Sequence, residues 1–179
     1  MAAPVQTTGM MTALFRTRED AENAYQALLD RGYTRDDISI LMTEESRTRY
    51  YGENYTTDDE TELGSKALEG TGAGAGIGGT VGAIIGAIAA IGTSVVIPGL
   101  GLIVAGPLAA ALAGAGAGGI TGGLIGALIG SGIPEETAKH YEAGLKEGGI
   151  VLGFRPKTTG EADEVAEVWN RYNGEMVFR

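Results

Sequence analysis

Few residues in this chain are spaced for chemistry. The one histidine, His140, follows Glu136 by four positions, which puts both on one face of a helix. Such a pair suits a proton relay or one corner of a metal site. It is also the ordinary i,i+4 pairing of a solvated helix surface, and we read it so. Asp36 and Asp37 form a carboxylate pair directly before an apolar run, where acids commonly shape a turn. Two stretches, Gly74–Ala75–Gly76–Ile77–Gly78–Gly79 and Gly114–Ala115–Gly116–Ala117–Gly118–Gly119, match GxGxxG. A dinucleotide site needs a strand before those glycines, a helix opening at them, and an acid about 20 residues later. The sequence suggests neither the strand nor the acid, and no P-loop lysine follows a glycine run. With no cysteine, thiol catalysis and thiolate metal sites are excluded, and a nucleophilic triad could draw only on His140. The expectation is a non-enzymatic protein with no cofactor and no metal.

The elements that would position these residues are set out by glycine and charge. Of 31 glycines in 179 residues, 21 fall between Gly70 and Pro134, a block without a single charged side chain. The net charge of −10 lies entirely on the flanks, both acidic, which argues against nucleic-acid binding. Met1–Met11 has no basic segment ahead of an apolar one, so no signal peptide is read and a cytoplasmic origin is expected.

Residues 1–45 read as a βαβ half. Met11–Phe15 suits a strand, and Thr17 caps a helix whose Ala21, Ala24, Tyr25, Leu28 and Leu29 share a face. Gly32 stops the helix, and Ile38–Met42 supplies a second strand. Residues 46–69, with Tyr50, Tyr51, Tyr55 and an acidic run, read as a solvated linker. Residues 134–179 begin with Pro134 opening a helix and continue as a second half. Ile150–Phe154 is strand-like, Thr158 and Glu161 have capping-box spacing, and Ala162, Val165, Trp169 and Tyr172 share a helix face. Met176–Phe178 suits a last strand. The flanks resemble each other, and together they predict an α+β fold: a small ferredoxin-like domain of two βαβ halves, with four strands and helices on one face.

Residues 70–133 would interrupt that domain as a long glycine-rich helical hairpin. Gly74, Gly78, Gly82 and Gly86 recur every four residues, and so do Gly114, Gly118, Gly122, Gly126 and Gly130, preceded by Ala110. A four-residue step keeps a nearly bare strip along one helix face. Pro98, Gly99 and Gly101 lie between the rows and read as the hairpin turn. Nine glycines inside helices cost roughly 9 kcal/mol relative to alanine. Close helix contact along the strips, or a bilayer, would offset this. Gly74–Ile97 as a helix would reach about 36 Å, enough for a hydrocarbon layer of about 30 Å, and Leu102–Gly130 would span it with tilt. The expected partner is a second copy of the chain, with the lipid bilayer as a further one.

The residues Leu14–Phe15–Arg16, Ala21–Glu22–Asn23–Ala24, Leu28–Leu29, Gly32–Tyr33 and Asp36–Asp37–Ile38–Ser39 resemble the start of the heat-induced general stress protein (YflT-like) family. Gly132–Ile133–Pro134–Glu135–Glu136 and Glu147–Gly148–Gly149–Ile150–Val151, after the glycine block, look like a subset carrying glycine-zipper insertions. The resemblance implies a role in general stress and offers no catalytic residues. The functional expectation is self-association through the zipper in or on the cytoplasmic membrane, with both termini cytoplasmic. The alternatives are a soluble homo-oligomeric particle with the hairpins inside, or an oligomeric pore or small-ligand module.

Overall fold

A computed structural model describes residues 9–51, 95–97, 101–116 and 123–179. They form an α+β fold around one six-stranded sheet. The strands are β1 (Met11–Phe15), β2 (Ile38–Thr43), β3 (Val95–Ile97), β4 (Leu102–Ala105), β5 (Ile150–Phe154) and β6 (Glu175–Phe178). The helices are α1 (Arg18–Leu29), α2 (Glu44–Tyr51), α3 (Pro107–Gly116), α4 (Gly123–Gly130), α5 (Glu135–Lys146) and α6 (Thr159–Arg171). The sheet order is β3-β4-β2-β5-β1-β6, and every neighbouring pair is antiparallel.

Local chemistry accounts for the element ends. Thr17 accepts the Asp20 amide at 3.1 Å, and Thr158 accepts the Glu161 amide at 3.1 Å. Each removes one of the orphan donors of a helix start. Asp36 and Asp37 lie in a 3-10 turn, where the Asp37 carboxylate accepts the Thr34 amide at 2.8 Å. The Thr34 hydroxyl, which donates to the same carboxylate at 2.6 Å, and after it this amide hold the Asp37 carboxyl below its usual range. The pair is therefore part of a turn.

The central strands are buried on both faces, as continuous apolar runs require. Met11, Ala13, Phe15, Ile38, Ile40, Met42, Ile150, Leu152 and Phe154 point to α1 and α6, where Trp169 fills the core. Trp169 meets Phe15 and Phe154 edge to face, with ring centroids 5.7 and 5.4 Å apart. On the opposite face, Leu14, Leu41, Val104 and Val151 meet Leu108, Leu112, Leu124, Leu128, Tyr141 and Leu145 of α3, α4 and α5.

Four expectations are corrected here. Helices cover both faces of the sheet, not one, because strands such as Ile38–Met42 carry apolar side chains on both sides. Leu102–Gly130 is not one helix: Leu102–Ala105 pairs with β2, from Thr43 opposite Leu102 to Ile40 opposite Ala105. Its Leu-Ile-Val run between Gly101 and Gly106 fits a buried strand. Val95–Ile97, read as the end of the first helix, is a strand that pairs with β4. Finally, Glu44–Tyr51 is helical and overlaps the stretch read as linker. Its start is fixed by Thr43, whose hydroxyl accepts the Ser46 amide at 3.0 Å.

Candidate functional site

The glycine-rich layer enters the fold through Gly106. Its φ of +79° turns the chain sharply from β4 into α3, and a Cβ there would lie 2.3 Å from the Ile38 carbonyl oxygen. The Leu108 amide, in the first turn of α3, donates to the buried Ser39 hydroxyl at 3.0 Å. A strand side chain thus supplies the cap. A strand does precede the Gly114 stretch, contrary to expectation. Gly114 and Gly116 nevertheless lie at the C-terminal end of α3, where carbonyls rather than free amides are presented, so phosphate-loop geometry is absent there.

Among the described side chains of α3 and α4, some face the core and others face outward. Leu108, Leu112, Leu124 and Leu128 are at most 6% exposed and complete the second core. Ala110, Gly126, Ile129 and Gly130 are exposed, with Ile129 at 42%. A Cβ on Gly126 would meet nothing within 4 Å. Besides Gly106, the described glycines of this layer that are closely approached lie on α5 and just after it. A Cβ on Gly144 would overlap the Leu14 side chain, and one on Gly149 would stand 2.9 Å from the Gly144 carbonyl oxygen. Neither belongs to a four-residue row, which is why spacing did not single them out.

Of the predicted site residues, Gly114, Gly126 and Gly130 belong to α3 and α4. Gly101, at φ +58°, closes the β3–β4 turn, and its carbonyl accepts the Glu44 amide at 2.8 Å. Gly74, Gly78, Gly82, Gly86, Gly118, Gly122, Pro98 and Gly99 lie outside the described residues.

His140 bonds across the fold and not along its own helix. Its Nε2 lies 2.7 Å from Glu175 Oε2 at the start of β6, although Glu136 was the expected neighbour. Arg16 Nε stands 3.1 Å from the same carboxylate and also pairs with Glu147. Arg16, and after it His140, hold the Glu175 carboxyl below its usual range despite some desolvation. An open groove of about 730 Å³ is lined by Thr43, Glu44, Glu45, Thr48, Arg49, Gly101 and Lys146. Its cations are engaged in helical pairs, Arg49 with Glu45 at 2.7 Å and Lys146 with Glu142 at 2.6 Å.

Among the described residues, no cluster of three metal-ligating side chains occurs and no helix is long and apolar enough to cross a membrane. Comparison with protein-family models, with curated proteins and with solved structures finds no match to this chain.

Proposed function

We propose that this chain is a non-enzymatic general-stress protein that self-associates through its glycine-rich layer. The exposure of Gly126, with Ala110, Ile129 and Gly130 also exposed, carries the reading. A helical glycine costs about 1 kcal/mol relative to alanine. At Gly126 the described residues offer nothing that such a small residue admits, so its benefit is sought outside the protomer, where a second helix can approach a bare backbone closely. The stress role rests on the family resemblance of the first 45 residues.

On this reading β6-β1-β5-β2, with α1 and α6 on one face, is a ferredoxin-like unit. The two βαβ halves interleave, which supports the assignment. The remaining strands and α3–α5 build a second layer that displays the glycine strip. No catalytic step is assigned: His140 serves a bridge, and Asp36 and Asp37 serve a turn.

The setting we favour is a soluble homo-oligomer, because the leucines of α3 and α4 are spent on the chain's own core. Association with the cytoplasmic membrane surface is the second reading, and the exposed Ile129 on an uncharged strip favours it. Carbonate washing and flotation separate the two, since the soluble assembly stays in the aqueous fraction.

The test is Gly126→Leu. Leucine enters open space and raises helix propensity, so the fold is retained. Light scattering or native mass spectrometry should show a smaller species with an unchanged circular dichroism spectrum. An unchanged mass overturns the proposal.

A further inference from the structure

The C-terminal strand β6 is the outermost strand on its side of the sheet and the least regularly held. It matches β1 at Thr12–Phe178 and Leu14–Glu175, with a break in register between them. Met176 takes φ +48°, a left-handed conformation unfavourable for a residue with a Cβ. Two adjacent side chains of α5 reach over to it. The Tyr141 hydroxyl donates to the Met176 carbonyl at 2.9 Å and lies 3.0 Å from the Thr12 hydroxyl. His140 makes the 2.7 Å bridge to Glu175.

We infer that His140 and Glu175 form a proton-controlled latch that fastens β6 to α5. Imidazole is the side chain whose charge changes within the pH range a cell experiences. Glu175 is ionised throughout that range, since Arg16 and His140 favour its charged form. The charged groups around the imidazole are Glu175 from β6 and Arg16 just after β1, with Glu147, which follows α5, behind Arg16. On its own helix Glu136 lies one turn back, and the neighbouring Lys139 is engaged by Glu135 at 2.6 Å. Protonated, His140 makes a charge-assisted bond; neutral, it keeps a weaker hydrogen bond without the ionic attraction. The latch is tight on the acid side and slackens as pH rises, and the strain at Met176 then favours release of the strand.

Both latch side chains are about one-third exposed, at 35% and 37%, which keeps the effect modest. Hydrogen exchange of the Met176–Phe178 amides, corrected for intrinsic rates, should show protection about two- to five-fold higher at pH 5.5 than at pH 8. The β5 amides serve as an internal reference for global stability. In His140→Gln this excess should vanish. In Glu175→Gln it should also vanish, and the imidazole titration midpoint, followed by NMR, should fall. An equal pH dependence in wild type and His140→Gln overturns the latch. So does a midpoint that Glu175→Gln leaves unmoved.

Discussion

Replacing Gly106 with alanine tests how the glycine-rich layer is attached to the sheet. Three costs combine at this position. Alanine at φ +79° sits in left-handed space, which costs about 1–2 kcal/mol. Its Cβ would lie 2.3 Å from the Ile38 carbonyl oxygen and 2.9 Å from both Ile38 C and Ser39 Cα. These are backbone atoms of β2, paired with β4 and β5 on either side, so none can rotate away. Relief requires α3 to lift off the strand by about 1 Å, given that comfortable C···O contacts begin at about 3.3 Å. Such crowding costs about 1–3 kcal/mol. The lift also stretches the 3.0 Å bond from the Leu108 amide to the buried Ser39 hydroxyl, worth about 1 kcal/mol. Alanine's smaller unfolded-state entropy returns about 0.4–1 kcal/mol. The net loss is about 2–5.5 kcal/mol.

Urea unfolding followed by Trp169 fluorescence reads this loss. Trp169 is the one tryptophan and is fully buried in the core on the far side of the sheet. Far-ultraviolet circular dichroism reports the helices of both layers. The midpoint should fall by at least about 0.7 M, taking a urea dependence of about 1–3 kcal/mol per molar. Gly126→Ala is the control: in open space on α4 it should gain up to about 1 kcal/mol. A loss below about 1 kcal/mol for Gly106→Ala would refute the reasoning, because the β4–α3 corner would then tolerate a Cβ that the geometry forbids.

Two further perturbations probe the first layer and the buried phenols. Thr158→Ala removes the side-chain acceptor at the start of α6 and should cost about 1 kcal/mol in the same urea assay, with no change in oligomeric mass. Burial raises the Tyr25 and Tyr141 hydroxyls well above the ordinary phenol range, and burial together with Glu161 does the same for Tyr33. Groups raised in the folded state contribute stability that is complete below the unfolded value near 10 and is lost as pH rises above it. Ultraviolet titration should therefore show these three ionising only together with alkaline unfolding. Their reversible titration in a folded chain near pH 10 would contradict that burial.

The α+β class was legible because local signals agreed with one another at the flanks. Thr17 and Thr158 announce helix starts, Gly32 closes a turn, and Ala162, Val165 and Trp169 mark a buried face; each plays that part in the structure. In the middle block the signal was ambiguous for a physical reason. Leu102–Ala105 is a short apolar run, and periodicity cannot separate a buried strand from a stretch of apolar helix. Its flanking Gly101 and Gly106 were the arbiters, but they were hidden among so many other glycines that their punctuation was lost. The second layer was missed for a related reason. A βαβ half predicts helices on one face, yet Leu14, Leu41 and Val151 needed a cover on the other, and the glycine-rich block supplies it together with α5.

That need changes how the candidate site is understood. Leu108, Leu112, Leu124 and Leu128, which lie between the glycines, face inward to the sheet. A helix has only one side left once its leucines are committed, and at Gly126 that side is bare backbone in open space. A four-residue spacing reveals that glycines share a face but not which way the face points. Direction is set by the unpaired apolar side of the sheet, a tertiary demand that no window of sequence contains. Gly126 and Gly130 are exposed because the domain claims the opposite face of α4 first, and the self-association proposed above would use that outer face.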